Sequence, residues 1–176
     1  MKIHHALPAV LAIGSLVSCQ SAKLAPQQAM AKPIKLSKFM GPWYVIAHIP
    51  TSIEKEAYNA IESYQLAADG SIKTTYTFNK GSFDGPLKIY NPVGTIHNST
   101  TNTEWKMQFI WPFKASYLIT YLDDEAQTTI VGVPNRKYVW IMARTKTLPP
   151  QTYDQLVEMV RSSGHDISKL RKVPQR

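Results

Sequence analysis

Eight short runs rich in aromatic and β-branched residues follow one another along most of the chain, and turn residues separate them. Runs of this length and composition predict β-strands. Most connections are short and carry Gly, Asn or Asp, as in "ADGS" and "NSTTN", which favours pairing between sequence neighbours. The predicted strands are Trp43 to Ile49, Ala60 to Leu66, Ser71 to Asn79, Leu87 to His97, Glu104 to Trp111, Tyr117 to Leu122, Thr128 to Val133 and Tyr138 to Thr145.

This order of strands predicts an all-β fold, an eight-stranded up-and-down antiparallel barrel, because closure leaves no exposed strand edge. A β-sandwich is the alternative, although its Greek-key crossings need longer connections than most of those present. One helix follows in "PPQTYDQLVEMVRSSG", where Pro150 suits the first turn and Gly164 the C-terminal cap. Its apolar stripe predicts packing against the outside of the barrel, and "KLRKV" beyond it could pair as a ninth strand. The stripe consists of Tyr153, Leu156, Val157 and Val160.

The first predicted strand bears on what the barrel contains. An eight-stranded barrel is just wide enough either to fill with its own side chains or to hold one small ligand. If Trp43 points inward, alternation turns Val45 and Ala47 to the same face. Their small side chains would leave room above the tryptophan, which favours a ligand cavity.

The start of the chain has the features of a secretion signal. Lys2 precedes an apolar run from Ala6 to Val17, which is too short for a permanent membrane helix. The sequence Leu16-Val17-Ser18-Cys19 resembles the bacterial lipobox, in which the cysteine is acylated and the signal is cut before it. Cys19 is the single cysteine of the chain, so it forms no intrachain disulfide. An incidental cysteine in an ordinary signal peptide is the alternative.

These features predict three segments: a signal peptide over 1–18, a lipidated N-terminus and tether over 19–37, and one domain over 38–176. The tether is predicted because residues 20–37 are mostly small or polar and have no apolar periodicity. Gln20, rather than Asp, follows the cysteine. By resemblance to enterobacterial sorting rules, this favours the outer membrane.

The formal net charge is +8, and it falls to +7 when Lys2 leaves with the signal. A basic surface can attract anionic headgroups or nucleic acid. A secreted, lipid-anchored protein does not meet nucleic acid, so we expect no nucleic-acid partner. The basic residues are scattered, and a solvated surface is a simpler interpretation than a dedicated headgroup patch.

Three motifs in this order resemble the lipocalin family, and within it the bacterial outer-membrane lipoproteins and their apolipoprotein D relatives. The resemblance covers about residues 37 to 174, through "FMGPWYVIA", "YLDDEAQTTIVGVPNRKYVWIMART" and "SSGHDISKLRKVPQ". One departure is Leu122-Asp123-Asp124, where the family commonly has Thr-Asp-Tyr, so only Asp123 carries over. The matching positions in the first two motifs are Gly41, Trp43, Tyr44, Ile46, Ala47, Asp123, Pro134, Arg136, Tyr138, Trp140, Ile141, Arg144 and Thr145.

The resemblance implies a structural pair at one end of the barrel. Trp43 of the first strand would close that end, and Arg144 of the last strand would lie across its ring. A guanidinium group on a partly shielded indole face contributes about 1 to 2 kcal/mol. A ligand would then enter at the opposite end.

No catalytic or metal-binding set stands out in the sequence. The histidines that follow the signal, His48, His97 and His165, lack metal-ligand spacing. There is also no G-x-S-x-G elbow and no glycine-rich phosphate loop. We therefore expect no enzyme, no metal and no cofactor, because catalysis would rest only on analogy with the rare lipocalin-fold enzymes.

The residues expected to face the interior are mainly aromatic, aliphatic and thioether side chains, which suit acyl chains. Their orientation follows from alternation and, for several strands, from the resemblance. The same parity points Glu62 inward, where a carboxyl group would be neutral or paired unless it lies at the wet mouth. The alternative is that these side chains fill a dry core. The expected ligand-binding residues are Val45, Ala47, Tyr64, Tyr76, Phe78, Ile96, Met107, Phe109, Tyr138, Trp140 and Met142.

The segment "WPF", residues 111 to 113, is predicted to lie in a loop beside the barrel mouth. Exposed aromatic residues there could touch the membrane surface or a second subunit in a homodimer. Packing of the same side chains beneath the loop is the alternative.

Together with the resemblance, these features predict a lipid-binding lipoprotein that stores or transports fatty acids or lysophospholipids for envelope maintenance. It would be anchored through acylated Cys19 to the periplasmic face of the outer membrane. Two other functions stay open: a carrier of another hydrophobic cargo such as haem, and a lipocalin-fold enzyme that acts on lipids or epoxides.

Overall fold

Consecutive strands pair side by side along the whole domain in the computed structural model, which describes residues 24–176. The predicted signal peptide and Cys19 lie outside the described residues. The strands are β1 (Gly41–Ile49), β2 (Ala57–Leu66), β3 (Ile72–Lys80), β4 (Leu87–Tyr90), β5 (Val93–Ile96), β6 (Glu104–Ile110), β7 (Phe113–Leu122), β8 (Thr128–Gly132), β9 (Val139–Ala143) and β10 (Arg171–Lys172). The helices are α1 (Leu36–Phe39) and α2 (Pro150–Ser162), and a 3₁₀ turn covers Ile167–Lys169.

The barrel closes because β1 pairs with β2 on one side and with β9 on the other. Every pairing is antiparallel, and the connections join sequence neighbours. The predicted eight-stranded up-and-down barrel is therefore confirmed. Closure satisfies the backbone groups of the two terminal barrel strands, which in an open sheet would form exposed edges.

The predicted strand from Leu87 to His97 forms two pieces, β4 and β5, that both pair with β3. The break falls at residues 91 and 92. Pro92 has no backbone N–H to donate to the ladder, so a regular strand cannot run through it. The carbonyl oxygen of Pro92 still accepts a hydrogen bond from the Thr74 N–H at 3.1 Å. The two pieces thus occupy one of the eight positions around the barrel.

Helix α2 lies against the outside of the barrel, as its apolar stripe predicts. Leu156 and Val160 are buried, and they pack with Ile141 and other outward side chains of β1, β8 and β9. Gly164, at a φ of +88°, lies just beyond the helix in a conformation that favours glycine. The chain then returns to the barrel, where β10 pairs with β1 as the ninth strand around it.

A bulge in β1 changes which side chains point inward. Val45 pairs with Met142 and Ala47 with Ile141, so β1 has one extra residue between these two pairs. Ala47 consequently packs in the outer cluster beneath α2, and His48 turns inward and is buried. The inward orientation expected for Ala47 is corrected, because simple alternation does not hold across a bulge.

The segment before the barrel, residues 24–34, lies against it, in contrast to the tether predicted over 19–37. The Gln27 N–H donates to the Pro134 carbonyl at 2.8 Å, and the Met30 N–H donates to the Ile119 carbonyl at 2.9 Å. At its end, the Ile34 N–H donates to the Thr101 carbonyl at 2.9 Å. We call this segment, residues 24–34, the strap. It crosses the barrel from the β8–β9 turn to the β5–β6 turn. The composition of the strap itself gave no reason to expect that it would dock on the barrel.

Candidate functional site

A cavity of about 260 Å³ opens at the end of the barrel away from Trp43. The β1–β2 loop forms one wall, and residues of β2, β3, β6, β7, β9 and the β8–β9 turn form the rest. Most of the lining is apolar or aromatic, which is typical of small-molecule sites. The lining residues are Thr51, Ser52, Ile53, Glu54, Glu62, Tyr76, Met107, Phe109, Ala115, Ser116, Tyr117, Val133, Tyr138 and Trp140.

Five of the expected ligand-binding residues line this cavity: Tyr76, Met107, Phe109, Tyr138 and Trp140. The others are placed elsewhere. Val45, Tyr64, Phe78 and Met142 are buried in the inner core, and Ile96 is half-buried against that core. Ala47 lies outside the barrel wall. The closed end of the barrel is thus filled by side chains, and the cavity lies above it, with Phe78 packed beside the cavity against Tyr76 and Tyr90.

Aromatic side chains fill the closed end. Phe39 at the end of α1 lies 5.2 Å from Trp43 and 5.3 Å from Trp105 between ring centroids. Trp105 stacks on Tyr117 at 5.3 Å. The Trp43 indole N–H donates to the Phe39 carbonyl at 2.8 Å, so this buried polar group is satisfied. These contacts make the end opposite the mouth a packed plug.

Arg144 lies across the outer side of this plug. Its guanidinium carbon is 3.7 Å from the centroid of the Trp43 ring, close enough for a cation–π interaction. The same group donates hydrogen bonds to the Pro42, Lys38 and Met40 carbonyls at 2.6, 2.7 and 2.9 Å. The expected pair is therefore present, and it also holds the C-terminal end of α1 against the barrel.

A buried carboxylate, Glu54, lies in the β1–β2 loop at the cavity wall. It accepts hydrogen bonds from the Tyr76 hydroxyl at 2.9 Å, the Trp140 indole N–H at 3.3 Å and the Thr51 N–H at 2.9 Å. His48 lies next to it, with Nδ1 3.9 Å from Glu54 Oε2. Burial lowers the pKa of His48, and the charge of Glu54 opposes that shift. This network fixes the loop over the barrel.

A second carboxyl group, Glu62, faces the cavity from β2. Its backbone pairs with Trp43 of β1 and Tyr76 of β3, which places it next to the aromatic plug. Burial raises the pKa of Glu62 to about 7; the Tyr64 hydroxyl opposes the shift and the charge of Glu54 adds to it. Tyr64 and Tyr117 are hydrogen-bonded to each other, and burial raises the pKa of both well above the usual range. Glu62 therefore takes the inward orientation that strand parity predicts.

Sequence reasoning missed the β1–β2 loop, residues 51–54, as part of the lining. The loop has no strand periodicity, and nothing in "TSIEKE" shows that it folds over the barrel. Ala115, Ser116, Tyr117 and Val133 were also missed. The first two precede Tyr117, where the predicted strand begins, and Tyr117 and Val133 are end residues of predicted strands. Glu54 begins a charged run, Glu54-Lys55-Glu56, and such a run is too common in exposed loops to identify a site.

The rim of the mouth exposes apolar side chains. Trp111 is 82% exposed and Phe113 75% exposed, at the β6–β7 turn. Phe109 and Ile53, which line the cavity, are also about half-exposed. Packing of Trp111 and Phe113 beneath the loop, one of the alternatives above, is thus not what the structure shows. The cavity and an apolar rim lie at the same end of the barrel.

The three histidines do not converge. His48 contacts Glu54, His165 bonds through Nδ1 to the Ser163 hydroxyl at 2.9 Å, and His97 is exposed. In residues 24–176, no three His, Cys, Asp or Glu side chains are arranged to hold a metal ion. Neither helix of this part of the chain has the length and apolar composition needed to cross a bilayer.

Comparison with known proteins adds an independent finding. The family model described as a lipocalin-like domain matches residues 34–175. Temperature-induced lipocalin-1 of Arabidopsis thaliana is 30% identical, over 85% of this chain and 83% of that protein. Outer membrane lipoprotein Blc of Vibrio cholerae is also 30% identical, over 82% and 86% of the two chains. Apolipoprotein D of Bos taurus is 27% identical, over 93% and 90%.

Solved structures agree on the fold. Insecticyanin from the tobacco hornworm Manduca sexta superposes with a TM-score of 0.66, over 85% of each chain. Its sequence identity is 20%, so this similarity concerns the fold alone. The fold thus has a counterpart among experimental structures.

Proposed function

Because the chain belongs to the lipocalin family, we propose that it is a lipid carrier that holds a fatty acid or a lysophospholipid in the cavity above the Trp43 plug. The observation that carries the proposal is the largely apolar cavity of about 260 Å³ within a closed barrel. Family membership supports the binding of a hydrophobic ligand. The choice of a single acyl chain follows from the narrow cavity and its aromatic and thioether lining.

The energetics are sufficient for a carrier. Burial of an acyl chain contributes about 0.8 kcal/mol per methylene. Ten to twelve methylenes would support roughly micromolar binding after the costs of association. The mechanism is transfer without chemistry, and we propose no enzymatic activity.

We further propose that the protein is a lipoprotein anchored through Cys19 to the periplasmic face of the outer membrane. The lipobox-like sequence before Cys19 supports this. A relative from Vibrio cholerae that is 30% identical is named an outer membrane lipoprotein. A role in envelope maintenance follows if the carried lipid comes from that membrane.

The strap bears on how such an anchor would hold the barrel. Arg136, in the β8–β9 turn beside the mouth, donates to the Ala25 carbonyl at 2.6 Å, and Leu24 packs next to Gly164. Leu24 is five residues after Cys19, and five residues span at most about 18 Å. The docked strap would therefore keep the mouth end near the membrane, with Trp111 and Phe113 on the same side.

The first experiment is mass spectrometry of lipids that co-purify with the chain from residue 20 onward, extracted gently from cells. The expected result is a fatty acid or lysophospholipid at close to one per chain. An empty protein that also fails to bind a fluorescent fatty acid would refute the proposal. A coloured preparation with a Soret band would show a haem carrier instead.

A cavity-filling variant tests the site itself. Ala115 lines the cavity at β7, so Ala115→Trp should occupy the volume and lower fluorescent fatty-acid affinity at least tenfold without unfolding the barrel. Thr95→Trp is the matched control, because Thr95 is exposed on β5 and does not line the cavity. Equal affinities of the two variants would remove the cavity as the binding site.

A further inference from the structure

The polar groups of the cavity carry one sign of charge. Its lining contains two carboxyl groups, Glu54 and Glu62. Within residues 24–176, the lining includes no Lys, Arg or His side chain. The remaining polar side chains, such as Tyr76 and Ser116, are hydroxyl groups. A ligand that places a carboxylate inside would therefore meet like charge in a partly desolvated site and no cation to offset it.

The two carboxyl groups differ in how many hydrogen bonds they can still accept from a ligand. Glu54 already accepts three hydrogen bonds from the protein, from Thr51, Tyr76 and Trp140. Glu62 is 7% exposed, and what exposure it has is toward the cavity. An ionised carboxyl group has about four acceptor positions, and the nearby Tyr64, Tyr76 and Tyr117 hydroxyl groups, which also hydrogen-bond to each other or to Glu54, cannot fill them. Glu62 is thus the acceptor that the cavity offers to a bound molecule.

Glu62 and the exposed apolar rim lie at opposite ends of the cavity. The mouth is rimmed by apolar side chains, with Phe109 51% and Ile53 44% exposed. The inner end, beside the Trp43 plug, holds Glu62 and the Tyr117 hydroxyl group, whereas the Tyr76 hydroxyl is bonded to Glu54 of the β1–β2 loop. An amphiphile matched to this arrangement has its polar group inside and its chain toward the mouth.

We infer that the cavity binds single-chain amphiphiles with the head inward, and that Glu62 selects heads that donate hydrogen bonds, protonated amines above all and hydroxyls next, over free carboxylates. The inference rests on the proposed function of the cavity as a lipid site, and within that class it ranks a free fatty acid below single-chain lipids with an amine or hydroxyl head. An ammonium group against an ionised carboxylate forms a charge-assisted hydrogen bond, which is stronger than a neutral one. The shape of the chain is the same for all three heads, so the head decides between them.

The titratable groups around Glu62 determine the pH at which ligand selection is best tested. The titratable groups that face Glu62 are Glu54 from the β1–β2 loop, Tyr64 on the same strand, Tyr76 from β3 and Tyr117 from β7. Burial holds the pKa values of the three tyrosines above the usual range, so they stay neutral at pH 8. Glu62, with a pKa of about 7, is largely ionised there, and an alkyl amine is still protonated.

The experiment compares dodecylamine, dodecanol and dodecanoate by calorimetry at pH 8, below their aggregation concentrations. The protein is the chain from residue 20 onward, which contains every described element of the fold. We expect dodecylamine to bind at least tenfold more tightly than dodecanoate, with dodecanol between them. In Glu62→Gln, which keeps the side-chain shape, the ratio of amine to acid affinity should fall at least fivefold. Glu125→Gln is the control, because Glu125 is an exposed carboxylate outside the cavity.

Each outcome decides a separate point. Equal binding of amine and acid to the unaltered chain, or tighter binding of the acid, overturns the inference and leaves the proposed lipid carrier standing. A preference for the amine that Glu62→Gln does not reduce removes Glu62 as the selecting group. Failure of all three compounds to bind refutes the proposed carrier itself. The comparison within the unaltered chain holds even if the variant does not fold.

Discussion

At the scale of single residues, Glu62 is the side chain whose surroundings matter most. It faces the cavity and lies opposite Trp43 of the plug, in a place where an apolar residue would pack more easily. Burial disfavours its charged form and raises its pKa from the ordinary 4.5 to about 7. A buried carboxyl group that is neutral in the folded chain and ionised in the unfolded chain makes stability depend on pH.

The sign of that dependence follows from proton uptake. Between pH 4.5 and 7, the folded chain keeps the Glu62 proton and the unfolded chain has lost it, so stability falls as the pH rises. We expect the unaltered chain to lose roughly 2 to 3 kcal/mol of unfolding free energy relative to Glu62→Gln between pH 5 and pH 8. Urea denaturation at both pH values measures this difference. His48 also titrates in this range, and the comparison with Glu62→Gln cancels its contribution. A difference that does not change with pH would contradict the shifted pKa.

At the scale of the elements, the observed domain differs from the expected one in two features, the bulge in β1 and the docked strap. The bulge shifts alternation by one residue, which brings His48 inside and sends Ala47 outside. The strap adds backbone hydrogen bonds across β7 and the adjoining turns, and it buries Gln27 and Ile34. Both features depend on partners far along the chain, so local residue patterns could not reveal them.

Removal of the strap should weaken the barrel. A chain that begins at Lys35 loses the hydrogen bonds of Gln27, Met30 and Ile34 to the barrel, and the bond from the Thr103 hydroxyl to the Met30 carbonyl. At about 1 kcal/mol for each bond, we expect a loss of roughly 3 to 4 kcal/mol in unfolding free energy. Chemical denaturation of this chain and of one that begins at Leu24 gives the comparison. Equal stability would mean that the strap contributes nothing to the fold.

At the scale of the whole molecule, the two ends of the barrel have different physical character. The closed end is packed with aromatic rings and held by Arg144, whereas the open end has the cavity and an exposed apolar rim. The strap runs between them and begins near the mouth. In the anchored protein proposed above, this arrangement directs the mouth toward the bilayer, which shortens the path of a lipid into the cavity.

Tryptophan fluorescence can report this orientation. Trp111 is 82% exposed at the rim, while Trp43 and Trp105 are fully buried and Trp140 is half-buried. In vesicles that contain brominated phospholipids, the acylated full chain should show quenching that Trp111→Phe removes. A chain without the acylated cysteine should show much weaker quenching. Quenching that persists unchanged in Trp111→Phe would place the rim away from the bilayer.

The sequence by itself determined the barrel, its external helix and its ninth strand, because strand composition, turn residues and the apolar stripe of α2 are local properties. It also identified Trp43 and Arg144 as a pair, through motifs that resemble a family. Five of the eleven expected ligand-binding residues line the cavity: Tyr76, Met107, Phe109, Tyr138 and Trp140. Tertiary structure alone decided the rest. Where the core ends and the cavity begins depends on Phe39 of α1, which meets Trp43, Tyr64 and Trp105 only when the barrel closes around it. The positions of Glu54, Ala47 and the strap depend on a loop, a bulge and long-range hydrogen bonds, and the period of a strand encodes none of these.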